Sequence, residues 1–161
     1  MNMGRLLTGA ILLSGCMASG MAADRADLEK TFEDVLQRIR QKDADGLVAH
    51  FHPEAVIFLR NRFFPLDFEE MGKAAFDDLV KSFLSEVVDA DLRPMDVSYR
   101  VVNGVGIVWG LARFHVEPKE GVGSSFQSRM SIIFAEDEGT WKIVHWHTSA
   151  IPSGLERTVT P

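Results

Sequence analysis

The sequence predicts an α+β fold in which helices come first and antiparallel strands follow. Apolar residues recur at helical spacing between Asp27 and Lys42, which is the pattern of an amphipathic helix. From Arg93 onward apolar and polar residues alternate, as in half-buried strands. Asn103-Gly104 lies between two such stretches and predicts a two-residue type I′ hairpin, because both positions tolerate positive φ. The helices are therefore expected to cover one face of a curved antiparallel sheet.

Two shorter helices and a short strand are predicted between the first helix and the sheet. Asp43 can cap a second helix, which includes Phe51 and which Pro53 ends. The apolar run Ala55–Leu59 predicts a short buried strand. A third helix is expected from about residue 69 or 72 to residue 86.

The last part of the chain predicts a series of hairpins. The expected strands are Val105–Val116, Ser125–Ala135 and Trp141–Ala150, with a glycine-rich loop at 119–124 and a loose tail at 153–161. In the final strand His145 and His147 share one face, because side chains alternate along a strand. Trp146 and Thr148 then lie on the other face.

Composition limits the classes of protein to which the chain can belong. Its 161 residues are 46% hydrophobic, which suffices for one domain with its own core. The formal net charge of −6 argues against a nucleic-acid-binding surface, which requires a basic patch.

Residues 1–22 resemble a signal peptide, and the protein is expected to be secreted, in a bacterium to the periplasm. Arg5 precedes the apolar run Leu6–Ser14, and Gly20-Met21-Ala22 is a small-residue cleavage site. Alternatively, Leu13-Ser14-Gly15-Cys16 is similar to a lipoprotein signal that ends before Cys16, which would then carry a lipid anchor. Cys16 is the only cysteine, so no disulfide is expected.

Three segments resemble the NTF2-like superfamily, which includes ketosteroid isomerase and the SnoaL-like proteins. They are Asp43–Phe51 with the following Pro53–Val56, Val108-Trp109-Gly110, and Arg129–Phe134 with Trp141–Ser149. The last segment, followed by Pro152, also resembles the association domain of calcium/calmodulin-dependent protein kinase II. The resemblance implies a cone-shaped fold over residues 23–152 that encloses a pocket and commonly forms dimers through its sheet.

The fold by itself does not assign a reaction, because this superfamily contains several kinds of enzyme as well as binding proteins. The resemblance to ketosteroid isomerase aligns its tyrosine with Val35 and its catalytic base with a position near Leu59. Neither side chain can transfer a proton, so steroid-isomerase chemistry is not expected. A cyclase or isomerase-type lyase that pairs Glu69 with His50 or His145 is an alternative hypothesis, although Glu69 also suits the solvated first turn of a helix.

No metal and no cofactor are expected. His50 and His52, like His145 and His147, have a spacing that zinc sites use. The first pair flanks a helix end beside Pro53, however, and the resemblance brings no metal to the second pair. Structural histidines are the preferred interpretation.

The leading prediction is a pocket that binds a small anionic or polar-aromatic molecule. Its expected ligand-binding residues are Arg129, Arg113, Trp109, Trp146, Thr148 and His115. A guanidinium beside a tryptophan is a suitable partner for a carboxylate. Two alternatives stay open: the arginines form salt bridges at the sheet rim, or the Trp109/Arg113 face is the surface of a homodimer. A further hypothesis is a purely oligomeric assembly module.

Overall fold

A computed structural model describes residues 24–59 and 71–151. The predicted signal segment with Cys16, the candidate base Glu69 and the tail after Pro152 lie outside these residues. The described elements are α1 (Arg25–Gln41), α2 (Ala44–Val48), β1 (Phe51–Leu59), β2 (Met71–Gly72), α3 (Lys73–Ser85), β3 (Val87–Val102), β4 (Val105–Pro118), β5 (Ser124–Asp137) and β6 (Thr140–Ala150). Among these helices, none has the length and apolarity that a membrane span requires.

Helix α1 forms where the apolar periodicity predicts it. The Asp24 carboxylate accepts a hydrogen bond from the backbone N–H of Asp27 and caps the helix. Five apolar side chains form the buried stripe: Leu28, Phe32, Val35, Leu36 and Ile39. Lys42, with a positive φ of 55°, ends the helix. Val35 is fully buried in the core, at a position with no access to a ligand.

The boundary between α2 and β1 differs from the prediction. Helix α2 ends at Val48, and Phe51 and Pro53 belong to a strand. The pairing of β1 with β6 is irregular between Phe51 and Val56. Pro53 lies in this irregular part, where its missing N–H does not interrupt a regular ladder. Strand β3 likewise begins at Val87, earlier than the sequence indicated.

The six strands form one sheet with the order β2-β1-β6-β5-β4-β3. Strands β3 to β6 form the predicted antiparallel series. The sheet as a whole is mixed, because β1 runs parallel to β6. The prediction of a wholly antiparallel sheet is therefore wrong for β1. Helix α1 packs mainly against β3, helix α3 packs mainly against β1, and the short α2 lies against both helices. Together they cover the inner face of the sheet, which is the predicted α+β arrangement.

The hairpin between β3 and β4 has the predicted turn. Asn103 and Gly104 have φ values of 49° and 74°, and Val102 pairs with Val105. This register places Ser98 opposite Trp109. The turn thus specifies which side chains of β3 and β4 near the hairpin share a face.

Gly110 shows why a small residue is needed in β4. The pairing of β3 and β4 shifts between Pro94 and Asp96, and the backbone of β3 approaches Gly110 at this bulge. A Cβ atom at Gly110 would lie 1.9 Å from the backbone oxygen of Asp96, and the residue has a φ of 152°. Only glycine accommodates both the contact and the dihedral angle.

Replacing Gly110 with alanine should therefore lower the free energy of unfolding by at least about 2 kcal/mol, because the backbone of β3 would have to move. The measurement is urea unfolding followed by circular dichroism. Gly72→Ala is the matched control, since a Cβ atom there has no neighbour within 4 Å among residues 24–59 and 71–151. Equal stability of the two variants would contradict this explanation of the bulge.

Candidate ligand cavity and the two faces of the sheet

A partly enclosed cavity of about 70 Å³ lies between the helices and the inner face of the sheet. Every element from α1 to β4 except β2 contributes an apolar side chain to its wall, for example Ile39, Leu47, Leu59, Val80, Leu92 and Phe114. Strands β5 and β6 add Phe126, Ser128, Trp146 and Thr148. Among the described lining residues, only Ser128, Trp146 and Thr148 carry polar side-chain atoms. The wall is therefore apolar, with polar groups concentrated on two neighbouring strands.

Two of these polar groups have no hydrogen-bond partner among the described residues. They are Nε1 of Trp146 and Oγ1 of Thr148, and both atoms are buried. Leaving a buried donor or acceptor unpaired costs about 1–3 kcal/mol. Both residues border the cavity. This pair is therefore the most informative feature of the cavity.

The alternation of β6 directs both side chains inward. Trp146 pairs with Ile132 and Thr148 with Met130, two residues that are also buried on the inner face. Phe51 stacks on the indole of Trp146, with ring centroids 5.9 Å apart and planes inclined by 5°. This contact determines the position of the indole. The predicted inward orientation of Trp146 and Thr148 agrees with the structure.

His145 and His147 lie on the opposite, outer face of the sheet. The ring of Phe58 in β1 contacts both imidazoles, at centroid distances of 5.9 Å and 6.5 Å. His145 does not border the cavity, so it cannot serve there as the base of the lyase hypothesis. Within the described residues, no three His, Cys, Asp or Glu side chains are arranged to hold a metal ion.

The structure separates the six predicted ligand-binding residues. Trp146 and Thr148 border the cavity, whereas Trp109, Arg113, His115 and Arg129 lie on the outer face. The prediction that all six line one pocket is therefore wrong. Side chains alternate along β4, and Val108, Ala112 and Val116 occupy its inward positions. The side chains of Trp109, Arg113 and His115 therefore point outward. The Trp109/Arg113 face therefore lies outside the cavity, and its use as the surface of a homodimer stays a prediction.

Two of the outer residues nevertheless share a shallow groove. Trp109 and Arg129 line it together with Asp96, and its volume is about 340 Å³. The guanidinium of Arg100 lies over the Trp109 ring, 5.9 Å from its centroid. Neither Asp96 nor Arg129 forms an ion pair with another described residue. The predicted salt bridges at the sheet rim are thus not formed by Arg129.

His115 has local partners on the outer face. Its Nδ1 atom is 2.9 Å from the Ser125 hydroxyl, and its Nε2 atom is 3.8 Å from a carboxylate oxygen of Asp89. Both partners lie on strands that flank β4. The geometry is that of a structural histidine at the end of the sheet.

His50 pairs with a residue that the sequence did not single out. Its Nε2 atom is 2.8 Å from Oδ2 of Asp34 in α1, and both residues line a polar groove outside the cavity. Burial lowers the pKa of His50, an effect that the Asp34 carboxylate opposes and that Lys142 reinforces. The pair joins α1 to the start of β1. No titratable side chain lines the cavity among the described residues, and the proposed partner Glu69 lies outside them.

Sequence reasoning also missed Ser128. The inner positions of β5 are Phe126, Ser128, Met130, Ile132 and Phe134, so a single hydroxyl interrupts an apolar row. This interruption is visible in the sequence once the phase of the strand is known. The role of Asp34 as the partner of His50 is harder to predict from the sequence, since a charged residue on the polar face of a helix is ordinary.

The helices on a curved mixed sheet and the cavity between them define an NTF2-like α+β protein. The family model of the SnoaL-like domain matches residues 28–153, and the chain belongs to this family. None of the curated proteins compared with the chain matches it.

Solved structures with the same fold show low sequence identity to this chain. A protein from Novosphingobium aromaticivorans, provisionally named a scytalone dehydratase, has a TM-score of 0.68 at 11% identity over 79% of this chain and 83% of its own. A provisionally named calcium/calmodulin-dependent protein kinase II association domain from Xanthomonas campestris has a TM-score of 0.66 at 16% identity, over 78% and 86% of the two chains. An NTF2-like superfamily protein from Salmonella enterica has a TM-score of 0.66 at 17% identity, over 83% and 95%. At these identities the likeness establishes the fold alone.

The partly buried pair His50–Asp34 predicts how stability depends on pH. Because the pKa of His50 is lowered from 6.5 in the folded protein, the unfolded chain takes up the proton first as the pH falls. The contribution of His50 to stability is therefore complete above about pH 6.5 and declines as the pH falls toward the lowered pKa. Replacing His50 with glutamine should flatten the pH dependence of the unfolding free energy in this range, as measured by urea unfolding at a series of pH values.

His147→Gln is the control, because it removes an exposed imidazole from the outer face and leaves the His50–Asp34 pair in place. If the unfolding free energy of His50→Gln depended more steeply on pH than that of the wild type, the contribution of His50 to stability would increase as the pH falls, which would contradict this prediction.

Proposed function

We propose that the protein binds a small, uncharged and largely apolar molecule in the inner cavity. The observation that supports this function is the pair of buried polar groups, Trp146 Nε1 and Thr148 Oγ1, without partners among the described residues. The indole N–H can only donate, and the threonine hydroxyl can also donate. The ligand therefore presents an oxygen that accepts hydrogen bonds, such as that of a ketone or an ether.

The lining favours a neutral ligand over an anion. Arg113 and Arg129 lie on the outer face, and no described lining residue carries a positive charge. Transferring a carboxylate from water into an apolar cavity without a cationic partner is strongly unfavourable. The aromatic part of the predicted ligand fits the cavity wall, whereas a negative charge does not.

The size of the cavity points to a compact molecule. Its volume of about 70 Å³ is well below the range of roughly 300–1,000 Å³ in which drug-sized ligands bind. Leu59, Phe83, Phe114 and Phe126 are the half-buried members of the lining and mark its opening. A single ring can place its oxygen at Trp146 and leave its opposite edge between these rim residues.

Binding without catalysis is the simpler function for these residues. A cyclase or isomerase needs a group that removes a proton from the substrate. The described lining offers hydroxyls and an indole, none of which is a base at neutral pH. An enzymatic function would depend on Glu69 or another acid outside the described residues.

A second proposal, which the outer face supports, is that two copies of the chain form a homodimer. Trp109 is 37% exposed at the centre of this face, next to the half-buried apolar residues Ile107, Leu111 and Ile133. Aromatic residues surrounded by apolar neighbours are common at the centre of protein interfaces. A second copy would cover this surface.

The charges beside Trp109 have the symmetry that a dimer requires. Asp96 in β3 and Arg129 in β5 both pair with Leu111 in β4, so they flank that strand at the same level. A two-fold axis along β4 would bring Asp96 of one copy over Arg129 of the other, and the reverse. Each unpaired charge would then gain a partner of opposite sign.

For the cavity, acetophenone is a suitable probe because it combines one ring with one carbonyl oxygen. It should bind the wild type more tightly than benzoate, which has the same shape and a negative charge. Trp146→Phe and Thr148→Val should each weaken acetophenone binding by about 2- to 10-fold, the effect of one neutral hydrogen bond. Isothermal titration calorimetry measures these affinities.

Thr148→Val should also leave the unfolding free energy of the free protein unchanged or raise it by about 1 kcal/mol, because it removes an unpaired buried hydroxyl. Arg129→Ala is the matched control and should bind acetophenone as the wild type does. No saturable binding to the wild type, or a larger loss in Arg129→Ala than in Thr148→Val, would refute the proposal.

The proposed dimer is tested by exchanging the charges of Asp96 and Arg129. Asp96→Arg and Arg129→Asp alone should each weaken the dimer by about 10-fold or more, because they place like charges opposite each other. The double variant should recover most of the wild-type affinity in sedimentation experiments. A monomeric wild type, or a double variant no better than the single ones, would exclude this arrangement.

A further inference from the structure

Ser128 is a third polar group in the cavity, and it stands apart from the pair formed by Trp146 and Thr148. It is only 2% exposed and borders the cavity from the centre of β5. The neighbouring inward positions of the same strand, Phe126 and Met130, are apolar. A hydroxyl at this depth is unfavourable for burial unless it forms a hydrogen bond.

The inward-facing residues around Ser128 differ in size. Ser128 pairs with Ala112 of β4, which is fully buried. Phe114 and Phe126 form the next inward pair toward the end of the sheet, and both rings are in T-shaped contact. Ser128, Phe114 and Phe126 all border the cavity, so its wall changes here from large aromatic rings to a small hydroxyl.

The register places Ser128 at a definite distance from the first polar pair. Thr148 pairs with Met130, whereas Ser128 is the next inward residue along β5. Thr148 and Ser128 are therefore diagonal neighbours on adjacent strands, roughly 7–8 Å apart and somewhat closer between their Cβ atoms. A six-membered ring with oxygen substituents on opposite sides spans such a gap between two hydroxyl groups.

We propose that Ser128 is a specificity-determining residue that recognises a second oxygen on the ligand. This inference rests on the proposed binding function of the cavity and names the class of ligand more closely. The ligand is a ring with two oxygen substituents in opposite positions. One is an acceptor facing Trp146 and Thr148, and the other is a hydroxyl or carbonyl facing Ser128, whose own hydroxyl can donate or accept.

The test compares acetophenone with 4-hydroxyacetophenone, which differ only by the second oxygen. The wild type should bind 4-hydroxyacetophenone about 2- to 10-fold more tightly. Ser128→Ala should abolish this preference by weakening the binding of 4-hydroxyacetophenone more than that of acetophenone, because alanine removes the hydroxyl and little volume. Ser131→Ala is the matched control, since Ser131 lies on the same strand with its side chain exposed on the outer face.

The possible results are distinguishable in calorimetric titrations of the three proteins with both probes. An unchanged preference in Ser128→Ala, or an equal loss of affinity for both probes, would overturn the role of Ser128 and leave the cavity's function intact. Failure of both probes to bind the wild type would overturn the proposed function and this inference together. A preference lost in Ser131→Ala as well would show that the effect does not arise in the cavity.

Discussion

The pairing register of β4, β5 and β6 is the constraint on which the rest of this structure depends. Val108, Ile132 and Trp146 meet on the inner face in one row across these strands, and their burial against the helices specifies the phase of each strand. Because side chains alternate with a period of two, a slip by one residue would exchange the two faces. It would bury Trp109 and His147 and expose the core. The same register therefore determines which side chains line the cavity and which lie on the outer face.

The cavity shows where the chain departs from the best possible packing. Thr148 buries a hydroxyl that has no partner among the described residues, and Ser128 adds a second hydroxyl to an otherwise apolar wall. Both departures occur on neighbouring strands and face the same space. Local losses of stability that converge on one cavity are typical of binding sites, whose polar groups are satisfied by the ligand.

The outer face and the cavity carry different kinds of side chains, which the sequence analysis had assigned to one pocket. The arginines and the exposed tryptophan suit recognition of another protein surface, where solvent screens the charges before association. The indole and hydroxyl groups suit an apolar molecule in a shielded space. His50, which first suggested catalysis, instead joins α1 to β1 through Asp34. A histidine–carboxylate pair is thus compatible with a structural role as well as with catalysis.

Features that depend only on residues close together in the chain could be predicted from the sequence. These include the amphipathic stripe of α1, the Asn103-Gly104 turn and the shared face of Trp146 and Thr148. Periodicity also placed Trp109 and Arg113 on a common face. Which face became the inside was decided only by the tertiary structure, because alternation specifies relative orientation and the helices select the buried side. The parallel docking of β1 on β6 and the pairing of His50 with Asp34 likewise join distant parts of the chain, for which no local pattern exists.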